Sequence, residues 1–259
     1  MNKFEAMKAE KDGLDAWPAL LAYAEADTPV EEIGEDELNR MKWFGVFHRP
    51  QRPGTFMMRL RIPGGTLTSA QLLAVAEVAR AYGHETVDLT TRQGLQLRDL
   101  RLPDIPAVVV RLESVGLSAR QTGLDNVRNF IGCPLAGIDG MELFDSTPLV
   151  LALNEAHRAA GKSLSNLPRK LNVSVAGCRD DCGHAQTQDI GFVPATADSG
   201  VGGWLASTCW WVAPWAGHRR GSPRRSMCSC GPRRWCAFSW RWWRSSAITA
   251  RGRFARGRG

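Results

Sequence analysis

The chain has 259 residues, of which 44% are hydrophobic and 23% charged, and these values are typical of a globular protein. The sequence contains no run of 18 apolar residues, and its charged N-terminus lacks the apolar core of a secretory signal. Both features argue against a membrane protein or an exported one. We therefore expect a cytoplasmic protein with no membrane partner.

The net charge of +7 is distributed unevenly along the chain. Residues 1–198 hold 21 basic and 26 acidic residues, whereas residues 199–259 hold 12 arginines and no acidic residue. Eight of the ten tryptophans also follow residue 203. This composition is typical of GC-rich coding DNA read in a shifted frame, so we expect 199–259 to be a disordered frameshift tail. The alternatives are a genuine but irregular cap and a basic tail that binds nucleic acid. If the tail is a frameshift product, the basic isoelectric point gives no reason to expect a nucleic-acid partner.

The seven cysteines divide at the same place. Cys133, Cys178 and Cys182 precede the tail, and the other four lie within it. A cytosolic chain keeps its thiols reduced, so we expect no disulfide framework. Cys178 and Cys182 form a C-x3-C pair that could supply two ligands of an iron–sulfur cluster, but such a cluster needs four.

The patterning of residues 1–118 predicts helices followed by a compact α+β unit. The first fifty residues are expected to be mostly helical and to wrap onto the rest. Period-2 alternation then gives way to helical spacing across PGG, and Thr68 and Ser69 are candidate helix caps. The predicted elements are a strand at 56–62, a helix near 68–82, strands at 85–91 and 95–100, and a helix at 103–116.

A second segment begins near residue 119. Its pattern predicts a helix at 148–160, a loop at 161–168 and a strand at 170–177, and it breaks off before residue 200. The predicted organisation is therefore a helical wrap, an α+β half-domain, a partial second α+β domain and a tail, with the bounds 1–50, 51–118, 119–198 and 199–259.

Several cationic side chains lie at strand or loop positions rather than on an evident solvent face. Guanidinium groups bind oxyanions with two parallel hydrogen bonds, and a lysine offers a movable charge and a proton. Together these residues predict a small-anion site, whereas each one alone is more simply a solvated edge charge. The residues concerned are Arg59, Arg61, Arg128, Arg169 and Lys170. Arg92, Gln93 and Gln96 add hydrogen-bond donors on a short turn, which could equally be a hairpin that faces water.

Five ordered motifs in residues 2–200 resemble the N-terminal half of the ferredoxin-dependent nitrite reductases, within the sirohaem nitrite and sulfite reductases. They are MNKFEAMKAEKDGL, MKWFGVFHRPQRPGTFMMRLRIPGG, LTTRQGLQLRDL, GLDNVRNFIGCPLAGID and LPRKLNVSVAGCRDD. The resemblance implies a ferredoxin-like half-domain followed by an incomplete sirohaem-binding α+β domain.

The resemblance also implies an activity, the six-electron reduction of nitrite to ammonia by reduced ferredoxin in a monomeric enzyme. The cofactors implied are sirohaem and a bridged [4Fe-4S] cluster. Position by position, it implies that Arg61, Arg128, Lys170 and Asn172 act on the substrate. The cofactor-binding residues implied are Arg59, Arg92, Gln96 and Arg169. Fixed positive groups in a water-poor pocket suit an anion that gains electrons.

Two features depart from the resemblance or qualify it. In the family the cluster cysteines belong to a second half of the protein, which repeats the fold of the first. We therefore expect no metal ligand in this chain. Cys178 and Cys182 are interpreted as the first-half counterparts of a cysteine pair in that second half, and not as cluster ligands. The chain as written is therefore expected to be inactive. The alternative substrate is sulfite, since assimilatory sulfite reductases more often carry a second lysine where this chain has Asn172.

Overall fold

The computed structural model describes residues 3–197, 204–211 and 229–230, and the side chains of residues 3–194. The chain forms two compact units. The first comprises Met1–Asn129 together with Gly161–Lys170, and the second comprises Phe130–Ala160 with Leu171–Gly259. Residues 119–129 thus belong to the first unit, although the sequence predicted that a second domain begins at residue 119. The predicted domain bounds stay a prediction.

The first unit begins with three helices. They are α1 (Lys3–Glu10), α2 (Trp17–Glu25) and α3 (Glu35–Met41). Their buried side chains, among them Leu20 and Met41, belong to the hydrophobic core that also contains the sheet of this unit. The helical pattern expected for this part of the sequence is therefore present.

A four-stranded antiparallel sheet follows, with the strand order β1-β2-β4-β3. Its strands are β1 (Val46–His48), β2 (Phe56–Leu60), β3 (Val87–Leu89) and β4 (Leu95–Leu100). Helices α4 (Ser69–Tyr82) and α5 (Ile105–Glu113) bury Val75, Val78, Val108 and Leu112 in the same core as strand residue Leu97. The first unit is thus an α+β sandwich of the ferredoxin-like type.

Local chemistry fixes the ends of these elements. Thr68 caps α4: its side chain accepts from the Gln71 N–H while the Gln71 side chain accepts from the Thr68 N–H, which forms a capping box. Strand β2 ends at Leu60 rather than at residue 62 as predicted. The reason is that the Arg61 N–H donates to the carbonyl of Ser118 at 2.9 Å, outside the β2–β4 ladder.

The second unit contains the end of β5 and strands β6 to β9, which belong to a five-stranded sheet with the order β5-β6-β7-β8-β9. Helix α6 (Thr147–Ala160) lies in sequence between β5 (Val127–Ile131) and β6 (Leu171–Val175). Strand β6 pairs in parallel with β7 (Ile190–Ala197). The sequence predicted the helix and the β6 strand, but the predicted strand, at 170–177, is longer at both ends than the observed one.

The sheet continues into the segment that was expected to be disordered. Strand β8 (Trp204–Trp211) pairs antiparallel with β7, and β9 (Ser229–Cys230) pairs with β8. These positions therefore have a strand backbone paired with β7, and the expectation that residues 199–259 form a disordered frameshift tail stays a prediction. The rest of the expected tail, at 199–203, 212–228 and 231–259, lies outside the described residues.

Within the described part of the chain, no helix is both long enough and apolar enough to cross a membrane.

Candidate functional site

Three arginines of the first unit lie close enough to a fourth, Arg128, to act on it electrostatically. Arg59, Arg92, Arg128 and Arg169 are called the arginine cluster below. Burial lowers the pKa of Arg128 to about 10, and the positive charges of the other three lower it further, against the opposite effect of the Asp125 carboxylate. Like charges held together in a partly buried place favour an anionic ligand.

Arg59 is placed by strand β2. It is half-buried, its Nη1 donates to the Thr122 carbonyl at 3.2 Å, and its guanidinium lies 4.7 Å from the centre of the Phe47 ring. Burial and the nearby charge of Arg98 lower the pKa of Arg59. Gln96 pairs directly with Arg59 across the β2–β4 ladder, which puts both side chains on one face of the sheet.

Arg92 lies in the turn between β3 and β4. Thr90 closes this turn, because its hydroxyl donates to the Gly94 carbonyl and accepts from the Gly94 N–H, both at 3.0 Å. Asn129 holds the turn from outside: its Nδ2 donates to the carbonyls of Ile62 at 2.6 Å and Arg92 at 2.8 Å. Asn129 was not among the predicted site residues. The sequence feature that could have indicated it is its position next to Arg128 in the NVRN motif.

Arg61 does not lie on an open face. It is 5% exposed, and its guanidinium donates to three backbone carbonyls of the first unit, those of Gln121 at 3.0 Å, Val127 at 2.7 Å and Arg128 at 3.0 Å. Burial and the charge of Arg128 lower the pKa of Arg61 to about 9. Arg61 therefore fixes the segment that carries Arg128, and a direct contact between Arg61 and the substrate stays a prediction.

The segment Gly161–Lys170 returns to the first unit and brings Arg169 and Lys170 with it. Three contacts hold the segment. The Leu167 N–H donates to the Asp125 carbonyl at 2.8 Å, Lys8 Nζ donates to the Leu167 carbonyl at 3.0 Å, and Trp43 Nε1 donates to Ser165 Oγ at 2.8 Å. Arg169 and Lys170 themselves are exposed.

The structure therefore brings most of the predicted site residues into one unit. The members in the first unit are Arg59, Arg61, Arg92, Gln96, Arg128, Arg169 and Lys170. Asn172 belongs to the second unit, on β6, where its backbone N–H donates to Asp189 Oδ2 at 2.8 Å.

The second unit holds the three cysteines with described side chains. Cys133 and Cys178 are buried, and Cys182 is exposed. Burial raises the pKa of the Cys133 thiol, and the neighbouring Cys178 and Cys182 contribute to the shift. Cys178 and Cys182 therefore each lie close enough to Cys133 to act on its thiol electrostatically.

Two family models match the chain. The "Nitrite/Sulfite reductase ferredoxin-like half domain" covers residues 49–115, and the "Nitrite and sulphite reductase 4Fe-4S domain" covers residues 123–227. The gap between them falls where the sequence analysis expected a domain boundary. The second match extends past residue 200, where the sequence analysis expected the resemblance to end.

Known relatives agree with these models. The ferredoxin–nitrite reductase of Leptolyngbya laminosa is 47% identical over 78% of this chain and 40% of its own length. That of Synechococcus elongatus is 46% identical over 80% of this chain and 42% of its own. The solved structure of the Mycobacterium tuberculosis NirA protein superposes with a TM-score of 0.71 at 26% identity, over 89% of this chain and 43% of that one.

The chain thus spans about two fifths of the length of the relatives that it matches. Both family models name nitrite and sulfite reductases, and the α+β sandwich of the first unit agrees with the ferredoxin-like half domain. The chain belongs to the nitrite and sulfite reductase family.

Proposed function

We propose that the first unit forms the anion-binding wall of a sirohaem nitrite reductase that reduces nitrite to ammonia with electrons from ferredoxin. The observation that carries this proposal is the arginine cluster, in which Arg128 has its pKa lowered by burial and by its three neighbours. Positive charge that is partly withheld from water binds an anion more strongly than the same charge on an open surface.

Sirohaem fits this part of the chain, because its carboxylates match a set of guanidinium groups that can each bind a carboxylate with two hydrogen bonds. Arg59, Arg92, Arg128 and Arg169 would hold it, with Gln96 as a further donor. When bound, sirohaem would supply the iron that takes up nitrite and electrons. The [4Fe-4S] cluster does not fit the described residues, since it needs four thiolates and the second unit offers three cysteines with described side chains.

The side chains of the proposed site have distinct tasks. Arg128 and Arg59 supply a fixed positive field, because each is anchored through a hydrogen bond to the carbonyl of Thr122. Lys170 is exposed, and its Nζ would donate a proton from the end of a flexible four-carbon chain. Arg61 acts through Arg128 by fixing its backbone, so it is a positioning residue in addition to any contact with the anion.

Asn172 supports nitrite rather than sulfite as the substrate. Sulfite carries two negative charges and would gain from a second ammonium group at this position, whereas the singly charged nitrite needs fewer cations. The runner-up function is therefore assimilatory sulfite reduction, and replacement of Asn172 by Lys is the change expected to favour it.

The wider setting of the activity is part of the same proposal. We propose, from the resemblance, that reduced ferredoxin is the electron donor, that the protein is cytoplasmic and that it is a monomer. We also propose that the chain as written does not turn over nitrite, because a cluster that relays electrons requires thiolates beyond those described here. Resequencing the DNA around codon 200 tests whether a one-base correction restores a longer reading frame.

A binding experiment tests the proposed wall directly. Sirohaem is titrated into the purified 259-residue chain and its absorbance is followed, for the parent chain and for Arg92→Gln and Arg128→Gln. Each lost guanidinium–carboxylate contact is expected to cost about 1.5–3 kcal/mol, or roughly 10- to 100-fold in affinity. Arg111→Gln is the matched control, because Arg111 is a half-buried arginine of the same unit, outside the arginine cluster and paired with Glu77.

Equal affinities for the Arg92, Arg128 and Arg111 variants would overturn the proposed wall. Ammonia production from nitrite with a reduced viologen, compared between the chain as written and a frame-corrected chain, tests the proposed inactivity. Turnover by the 259-residue chain would contradict it.

A further inference from the structure

A cluster of metal-ligating groups lies in the second unit and contains no residue of the arginine cluster. The ligand atoms of Asp139, Cys178 and Asp180 all lie within 4.8 Å of one another. Cys178 is buried, Asp139 is half-buried and Asp180 is exposed, so solvent reaches the group from the Asp180 side. No step of the proposed nitrite chemistry uses these three residues.

We propose that Asp139, Cys178 and Asp180 form a site for a single divalent transition-metal ion of the zinc class. One thiolate and two carboxylates are ligands that zinc accepts, at about 2.3 Å for sulfur and 2.0–2.2 Å for oxygen. Tetrahedral binding at these lengths separates the ligand atoms by roughly 3.5 Å. The three ligand atoms lie within 4.8 Å of one another, so binding of the ion would draw them closer by side-chain rotation.

The backbone around the site is already fixed on the Asp139 side. The Met141 N–H donates to Asp139 Oδ1 at 2.9 Å, which orients the carboxylate. The N–H groups of Leu143 and Phe144 both donate to the carbonyl of Gly177, at 2.9 and 3.3 Å, so the loop after Asp139 is tied to the residue before Cys178. A ligand that is held in place loses little entropy when the ion binds.

Gly177 permits the two segments to approach closely. A Cβ atom at this position would meet Glu142 Oε1 at 2.8 Å and the Phe144 carbonyl at 2.9 Å, so a side chain would push the Asp139 loop away from Cys178. Glu142 Oε1 is itself buried with no hydrogen-bond partner, and an acceptor in that state is favoured by a nearby cation.

The turn after Cys178 is fixed in the same way. The Asp181 carboxylate accepts from the N–H of Ala185 at 2.7 Å and from that of Gln186 at 3.3 Å, which closes the turn that carries Cys182. Three protein ligands with an open fourth position are a stable zinc arrangement, so the site needs no further protein ligand.

A mononuclear ion agrees with the ligand set better than an iron–sulfur cluster does. A [4Fe-4S] cluster is held by four thiolates on four separate irons, whereas the tight group here contains one thiolate and two carboxylates. Carboxylates and a single thiolate suit a borderline ion such as Zn²⁺ or Co²⁺.

Cobalt uptake tests the site. The four cysteines of residues 199–259 are first replaced by serine in the full 259-residue chain, so that they cannot contribute thiolate ligands. Co²⁺ is then titrated into the chelator-treated protein, and absorbance and native mass are recorded. One Co²⁺ per chain with a thiolate-to-cobalt charge-transfer band is expected, and Zn²⁺ should displace it.

Variants assign the ligands. Cys178→Ser should abolish the charge-transfer band, and Asp180→Asn should weaken Co²⁺ binding by at least about 10-fold. Glu155→Gln is the matched control, because it removes an exposed carboxylate of the same unit that pairs with Arg158 on α6. Asp180 is exposed, so its variant keeps the test decisive even if Cys178→Ser fails to fold.

Three outcomes would overturn the proposal. The first is no cobalt uptake in the background that lacks the tail cysteines. The second is an Asp180→Asn variant that binds Co²⁺ as tightly as Glu155→Gln. The third is uptake of iron only together with sulfide at four irons per chain, which would assign a cluster instead of a single ion.

Discussion

Arg59 and Arg128 donate hydrogen bonds to the same acceptor, the backbone carbonyl of Thr122, although they lie 69 positions apart in the sequence. The dipole of this one carbonyl group compensates only part of the positive charge of the two guanidinium groups that it binds. The pair is therefore fixed in place and still carries excess positive charge, which is the condition for binding an anion with little reorganisation. Thr122 itself is buried, and its hydroxyl donates to the Ala119 carbonyl at 2.8 Å.

The first prediction concerns the buried guanidinium of Arg61. Arg61→Met would leave the carbonyls of Gln121, Val127 and Arg128 without this donor, so we expect the free energy of unfolding to fall by about 3 kcal/mol. Urea denaturation followed by circular dichroism measures the change. Arg80→Met is the control, because Arg80 is an exposed residue of α4. An unchanged unfolding midpoint for Arg61→Met would show that these hydrogen bonds contribute little.

The second prediction concerns Asn129, whose Nδ2 holds the turn that carries Arg92. Asn129→Asp keeps the shape of the side chain but replaces a donor with an acceptor that faces the carbonyls of Ile62 and Arg92. We expect a loss of about 2–4 kcal/mol in unfolding free energy and faster amide hydrogen exchange in the turn at 90–94.

Asn39→Asp is the matched control for this change. Asn39 is also buried, but its Oδ1 accepts from Lys42 Nζ at 2.6 Å, a bond that an aspartate keeps. If Asn39→Asp and Asn129→Asp destabilise the chain equally, burial of a carboxylate explains the effect and the donor role of Asn129 is wrong.

The third prediction concerns the capping box of α4. Thr68→Ala removes the acceptor for the Gln71 N–H, so we expect about 1 kcal/mol less stability in urea denaturation. Thr68→Ser should retain most of the stability, since a serine hydroxyl accepts the same hydrogen bond. A serine variant as unstable as the alanine variant would indicate that the methyl group matters rather than the cap.

The fourth prediction concerns thiol reactivity in the chelator-treated chain. The thiolate is the reactive form, and the raised pKa of buried Cys133 reduces its thiolate fraction at pH 8. Exposed Cys182 should therefore react with iodoacetamide faster than Cys133, as measured by peptide mass spectrometry over time. Raising the pH should narrow the difference, because more of the Cys133 thiol is then ionised. Equal rates for the two thiols at pH 8 would contradict the burial of Cys133.

The sequence determined the local elements of the first unit. The alternation of 56–62 and the Thr68 cap gave β2 and the start of α4 because strand period and capping depend on residues a few positions apart. The motifs also predicted eight site residues, and seven of the eight lie in one unit. The cap residues and the strand pattern needed no distant partner to act.

Tertiary structure decided the features that depend on distant partners. The sequence predicts Arg61 as a cation on a strand face. In the structure its guanidinium donates to the carbonyls of Gln121, Val127 and Arg128, which lie 60 to 67 positions away in the sequence. The return of 161–170 to the first unit likewise depends on distant donors, the side chains of Lys8 and Trp43, and Trp204–Trp211 pairs with β7 through backbone groups. Every residue carries backbone donors and acceptors, and a side-chain period reports only near neighbours, so the sequence pattern does not reveal these contacts.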